Sequence, residues 1–414
     1  MSLAVGLGVL LGGCAARPRA AATAAVARPG EPVYRGTVAI DPAAGTLDAT
    51  WQIDFVPPAD VDSVVLLLNP RLRVDAMRGT GTGTVRVATD SEYTRVTVPL
   101  ATRGATPRTV ALHVRGAPAF SDDRINGIGP DWVELGLDSY WYPVFADFAD
   151  RVTARIAVRL PARWPIAAGA AVRWQGDSAI LDQTVPQVDI AFAAAPGLRR
   201  VGDRDVGAFV VATPDSLVRR VLDIAAPCRA SLNAQFGARE AIPVTSFVLA
   251  PRSGPGYARG HYIVLNNEFN ATPAALTSFV CHELAHFWSR RAVASGPENW
   301  LNEGFAEFVA AREVRRALGD STYAAHVASW AARAQGGGPI WTPSATRRPS
   351  AVASYRKAPL LLHRLEERIG REKTDAVLRR YMVDGIRTTP ALIDAIATIA
   401  GDATARWFTD ELAR

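Results

Sequence analysis

The chain has 414 residues, 49% of them hydrophobic, and a formal net charge of +6. That much apolar material supports two or three packed domains and excludes a largely disordered chain. The positive charge is almost all arginine, with lysine only at Lys357 and Lys373, and it is spread along the sequence, which argues against a nucleic-acid-binding surface.

The chain opens on a short apolar run, Leu3 to Leu11, that ends in Leu11-Gly12-Gly13-Cys14. This tetrapeptide resembles a bacterial lipobox, where cleavage leaves the cysteine as the lipidated first residue. Residues 1–14 therefore read as a lipoprotein signal peptide and Cys14 as the lipidation site, although no Lys or Arg precedes the apolar run. The run is far too short to span a bilayer. Ala15 stands after the cysteine where an aspartate would retain the protein at the inner membrane. By resemblance to bacterial sorting rules this favours an outer-membrane anchor facing the periplasm. Residues 15–30, rich in Ala, Arg and Pro, read as a flexible tether.

From Val33 to about Ala194 short alternating runs are bounded by Gly, Pro and Asp, as in Asp48-Ala49-Thr50-Trp51-Gln52-Ile53-Asp54-Phe55. Regular short strands with turn signals predict an antiparallel β domain over residues 31–200. Its Ser139-Tyr140-Trp141-Tyr142-Pro143 run is expected to serve packing rather than catalysis. From about 201 helical periods dominate, so the whole chain reads as α+β, with a second domain over 201–414. Pro214-Asp215-Ser216 opens a helix to about Phe236, and a strand follows at Val244–Leu249. A glycine-rich loop, Ser253–Gly260, then precedes a β-prone run at Tyr262–Leu265.

Thr272-Pro273 provides an N-cap and a first-turn proline for a helix expected to run to Ser295-Gly296-Pro297. That helix carries His282-Glu283-Leu284-Ala285-His286. Residues four apart share a helix face, so the two imidazoles can grip one metal ion. Glu283 projects about 100° away, beside the ion rather than on it, where it can take a proton from the attacking water. A second helix begins near Trp300 and ends at Gly319. It packs antiparallel across a short connection, so a carboxylate in its first turn can complete a His₂Glu site with an open fourth position. Glu303 is preferred as that ligand. Glu307, one turn on, is read either as an outer acceptor that orients a histidine ring or as an ordinary solvated glutamate.

Downstream, Gly336-Gly337-Gly338 reads as a mobile loop over the cleft. A helix capped by Ser354 follows, with Pro359 tolerated in an early turn. Further helices are expected near 371–383, 390–400 and 402–413.

Trp300-Leu301-Asn302-Glu303-Gly304-Phe305-Ala306 after an H-E-x-x-H helix resembles the aminopeptidase N-like family of gluzincin metallopeptidases. Tyr355-Arg356-Lys357-Ala358 resembles the start of that family's Y-x-K-G segment. The resemblance implies Zn²⁺, one per chain, held by His282, His286 and Glu303. It also implies Tyr355 as the donor to the oxyanion of the tetrahedral intermediate, a role suited to a neutral phenol. It further implies a saddle-shaped or sandwich-like N-terminal β domain followed by a thermolysin-like catalytic domain, here without the family's large helical C-terminal domain. The connection 287–302 is slightly shorter than the family's.

The family's Gly-x-Met-Glu-Asn segment, whose glutamate binds the substrate's free amino terminus, corresponds to Gly256-Tyr257-Ala258-Arg259-Gly260. These five are the candidate substrate-binding residues, and they contain no acid, Ala258 or Arg259 standing at the amine-binding place. The Arg259 guanidinium is expected to repel an α-ammonium group and to favour a carboxylate. The expected activity is therefore zinc-dependent peptide hydrolysis, aminopeptidase-like, with Glu283 as general base. The alternatives are an endopeptidase or other zinc hydrolase without free-amine recognition, and a catalytically inactive surface-binding lipoprotein. Cys228 and Cys281 could pair in an oxidising compartment, but nothing in the sequence brings them together, and two free thiols are expected.

Overall fold

The computed structural model describes residues 31–120, 125–146, 151–266 and 271–414. The expected signal peptide, Cys14 and the tether lie outside them. Two compact units emerge. One takes the chain to Val201 together with Ala208–Thr213 and Ser246–Glu268; the other takes Gly202–Gly207, Pro214–Thr245 and Phe269–Arg414. Segments 208–213 and 246–268 thus pack with the first unit although they lie beyond residue 200.

The first unit is built from period-two strands. In Thr46–Phe55, Leu47, Ala49, Trp51, Ile53 and Phe55 are buried while Asp48, Thr50 and Gln52 face outward. This strand sits in a seven-stranded sheet ordered 171–175, 178–187, 152–159, 33–41, 46–55, 108–116, 73–80. Its pairs are antiparallel except for Val33–Asp41 against Val152–Arg159. Two four-stranded sheets accompany it. Tyr34, Trp51, Trp141, Tyr142 and Phe192 meet in the core largely edge to face. The 139–143 run is thus core, and the Tyr142 hydroxyl reaches buried Asp189 at 3.1 Å.

Strand Tyr262–Asn266 pairs parallel to Thr245–Ala250 and antiparallel to the edge strand Tyr257–Arg259. Gly260 turns the last hairpin with φ +67°, and a Cβ there would meet Gln187 Oε1 at 2.6 Å. Val248, Ala250, Tyr257, Tyr262 and Val264 share one buried cluster with Ala193, Ala195 and Leu198. That burial is why the segment belongs with the β unit.

The second unit is helical: α1 (Asp215–Phe236), α2 (Pro273–Ala285), α3 (Asn299–Leu318), α4 (Asp320–Arg333), α5 (Ala358–Ile369), α6 (Arg371–Met382), α7 (Thr389–Ala400) and α8 (Asp402–Ala413). A largely antiparallel β region followed by a helical one is the α+β architecture read from the sequence.

Four local expectations need correction. Cys228 of α1 and Cys281 of α2 are not free thiols but form a disulfide, with Cα atoms 6.0 Å apart. α2 ends at Ala285 rather than near residue 295. The N–H groups of Phe287 and Trp288 turn to carbonyls three residues back, and Ala292 is held on both sides by the Asn302 amide at 3.0 and 3.2 Å. Ser354 does not cap the Tyr355 helix. Ser350 does, its Oγ accepting from Ala353 N at 3.1 Å, and Ala353–Lys357 form a π turn leading into α5. The 336–341 segment is tied down rather than loose. Gly337 O accepts from Ser350 Oγ, Gly338 O from Lys357 Nζ, and the Ile340 and Trp341 amides donate to Leu412 O.

Candidate metal centre

Thr272 caps α2 through a hydrogen bond from Ala275 N, and Pro273 occupies its first turn. One helix end thus presents His282 and His286, both buried. α3 runs back beside it with Glu303 facing the two rings. His282 Nε2 and His286 Nε2 lie 3.5 and 3.3 Å from the same oxygen, Glu303 Oε2. One ligand atom from each residue falls within 4.8 Å of the others.

The opposite ring nitrogens are both engaged. His282 Nδ1 donates to Glu307 Oε2 at 3.0 Å, and His286 Nδ1 to Ser289 Oγ at 3.1 Å. These contacts orient the rings so that both Nε2 atoms face Glu303. Of the two roles read for Glu307, the geometry matches the orienting acceptor. Its second oxygen receives Trp330 Nε1 at 3.3 Å and lies 3.6 Å from both His326 Nε2 and Arg356 Nη1.

Electrostatics match a cation site. Burial pushes the Glu303 carboxyl up, but the two imidazoles, His286 first, more than offset this and hold it well below the usual range. Burial raises Glu307 as well, and its contacts with His282 and His326 reverse the sign. His282 runs the other way. Burial lowers it, yet Glu303 and Glu307 together carry it up to about 10. His286 is lowered by burial. Glu303 Oε2 itself is buried without a hydrogen-bond partner, which leaves its lone pairs for a ligand the rings would share. Two imidazole nitrogens and one carboxylate oxygen fit the donor set of a hydrolytic zinc site.

Glu283 is buried next to His282. The Tyr355 ring stacks over His282 with centroids 6.0 Å apart. Burial, and then the Glu303 charge, push its phenol well above the ordinary value, so it stays a neutral donor. Its approach depends on Gly304. A Cβ there would stand 2.7 Å from Ala358 Cβ, so only glycine lets α3 lie this close to the Tyr355 segment.

Gly256 to Gly260 lie in the first unit. Tyr257, Ala258 and Arg259 are buried. Arg259 is not the bare cation expected. Its Nε donates to Asp189 at 2.8 Å, another nitrogen pairs with Asp138, and Nη1 caps Ala258 O at 3.1 Å. Two carboxylates compensate the guanidinium, so the expected repulsion of an ammonium group does not follow.

Sequence reasoning missed Ser289, Trp330, His326, Arg348 and Arg356. Arg348 Nη2 sits 3.8 Å from Glu303 Oε1. With the Asn299 amide turned to face it, Arg348 also donates to that amide oxygen, from Nε at 3.0 Å and from Nη2 at 3.1 Å. Ser289, three residues after His286, and Arg356, next to Tyr355, carried a local signal. A large open cavity of about 1010 Å³ is lined by Arg71, Arg115, Arg159, Asp41, Asp48 and other first-unit residues, and holds none of the candidate site residues. Donor chemistry, not cavity size, locates the centre.

No protein-family model matches the sequence, and no curated protein does. Solved structures do. An M1 zinc metallopeptidase from Deinococcus radiodurans superposes with TM-score 0.72 at 18% identity, over 93% of this chain and 95% of that one. A complex of that protein with a Tyr-Ser-Ala substrate gives 0.72, 18%, and 92% and 94%. Leukotriene A4 hydrolase from Saccharomyces cerevisiae gives 0.65 at 15% identity, over 92% of this chain and 66% of that one. The chain therefore has the fold of the M1 zinc metallopeptidases.

Proposed function

We propose that this protein is a zinc-dependent metallopeptidase, aminopeptidase-like, that hydrolyses peptide bonds. The observation that carries the reading is the meeting of His282 Nε2, His286 Nε2 and the unpartnered Glu303 Oε2 in one buried spot. The solved relative with a Tyr-Ser-Ala substrate supports a peptide as the substrate class.

His282, His286 and Glu303 would hold the ion. Zn²⁺ there supplies Lewis acidity toward water and the scissile carbonyl. Glu283, beside the ligands, takes the proton from the attacking water and returns it to the leaving amine. The neutral Tyr355 phenol donates to the developing oxyanion. Glu307 and Ser289 keep the two rings turned to the same point.

A second reading is an endopeptidase or other zinc hydrolase without free-amine recognition. The Gly256–Gly260 stretch favours it, because Ala258 or Arg259 stands where an amine-binding acid is expected and the Arg259 charge is already matched by Asp138 and Asp189. Digesting free and N-acetylated peptides and reading the products by mass spectrometry separates the two. Stepwise loss of single residues from free amino termini supports the aminopeptidase, and internal cuts indifferent to acetylation support the other reading. No cleavage by zinc-loaded protein would overturn both. For location we propose lipidation at Cys14 and an outer-membrane anchor, which rest on the N-terminal sequence. No helix among the described residues is long and apolar enough to cross a membrane.

A further inference from the structure

The segment that carries Tyr355 contains a built-in defect. In a regular helix the Tyr355 carbonyl would accept the N–H four residues on, which belongs to Pro359. Proline has no N–H, and its ring crowds that same carbonyl. The backbone widens in response. Ala358 N–H reaches back five residues to Ala353 O, and Ala353–Lys357 form the π turn. Pro359 thus leaves the Tyr355 carbonyl without its α-helical donor, and Arg356 Nη1 donates to it at 2.8 Å. The same nitrogen lies 3.6 Å from Glu307 Oε1. The other Glu307 oxygen is the one that receives His282 Nδ1.

We infer that Arg356 is a positioning residue, whose single guanidinium holds the Tyr355 π turn and the Glu307–His282 pair in register with each other. The inference deepens the metallopeptidase reading and rests on it for its consequence. It uses two contacts that the hydrolytic scheme leaves unassigned. Without Arg356 two separate things happen. The Tyr355 carbonyl loses its donor, which loosens the turn that presents the phenol. The outer Glu307 oxygen loses a compensating charge, which weakens its grip on the His282 ring. Pro359→Ala repairs only the first, because an alanine brings back the missing N–H.

The test compares Arg356→Met, Pro359→Ala and the double variant in the full-length protein. Hydrogen exchange of peptides covering 353–359 reads the turn, and zinc affinity by chelator competition reads the Glu307 arm. Arg356→Met should speed exchange in 353–359 by about tenfold, as for one lost hydrogen bond. In the Pro359→Ala background that acceleration should largely vanish. Zinc affinity should fall by roughly tenfold in both backgrounds, and Arg356→Lys, which keeps the charge, should recover most of it. Should Arg356→Met fail to fold, Arg356→Gln keeps a donor but no charge, and is expected to protect the turn while losing zinc affinity.

Unchanged exchange, or an equal loss of protection across the whole unit in both backgrounds, would overturn the inference and make Arg356 an ordinary packing residue. The exchange measurement needs no hydrolysis, so failure of the peptidase reading and failure of the Arg356 link are distinguishable.

Discussion

Gly304→Ala probes how the two helices share the site. The added Cβ would stand 2.7 Å from Ala358 Cβ, about 1 Å inside the roughly 3.5–4.0 Å of a normal carbon contact. Both positions are in buried helix, so backbone must give rather than a flexible side chain. Such overpacking costs about 1–3 kcal/mol. Glu303 stays on α3 with its histidines, whereas the Tyr355 segment is pushed outward by up to about 1 Å. A displacement of that size can lower turnover by about 100-fold. Kinetics on a cleaved peptide, zinc content and thermal unfolding together read the result. The expected outcome is zinc retained, a lower Tm, and kcat down by about 10- to 100-fold with little change in KM. Adding Ala358→Gly removes the opposing methyl and should restore most of both losses. Full turnover and unchanged Tm in Gly304→Ala would refute the close-approach argument, and so would a double variant no better than the single.

Glu283→Gln should keep zinc yet abolish hydrolysis, and retained activity would sink the general-base assignment. Tyr355→Phe should lower kcat by about 100-fold, as for one oxyanion donor, with zinc content unaltered. Loss of zinc instead would mean a structural role. Removing the disulfide by Cys228→Ser with Cys281→Ser frees a loop of sequence separation 53, worth about 4 kcal/mol of chain entropy. Urea unfolding should show a loss of up to that size, and an unchanged midpoint would contradict the pairing. In the metal-free protein His282 is pushed up to about 10. Below that pH it carries a proton that the cation must displace, so zinc affinity should rise with pH and about one proton should be released per zinc at neutrality. Calorimetry in buffers of different ionisation enthalpy checks this, and a buffer-independent heat would count against it.

The convergence of the three candidate ligands was legible because helix geometry encodes it locally. His282 and His286 are one turn apart, and the first turn of the next helix supplies Glu303. Strand alternation gave the β unit for the same reason, as in Thr46–Phe55. What stayed hidden depends on contacts distant in sequence. Cys228 and Cys281 meet only through the packing of α1 on α2. Arg259 finds Asp138 and Asp189, 121 and 70 residues away, and so changes from a repulsive cation to a compensated one. Arg348 reaches Glu303 from a segment with no periodicity to betray it. Beyond the early end of α2 the chain is held by Asn302 gripping Ala292, a side-chain hold that helix propensity does not register.

The most direct measurement is a metal-bound crystal structure of Glu283→Gln together with metal analysis of the wild-type protein. One zinc per chain, bonded to His282 Nε2, His286 Nε2 and Glu303 Oε2, is the expected result. Protein that takes up no zinc, or zinc bound with Glu303 outside bonding distance, would contradict the account.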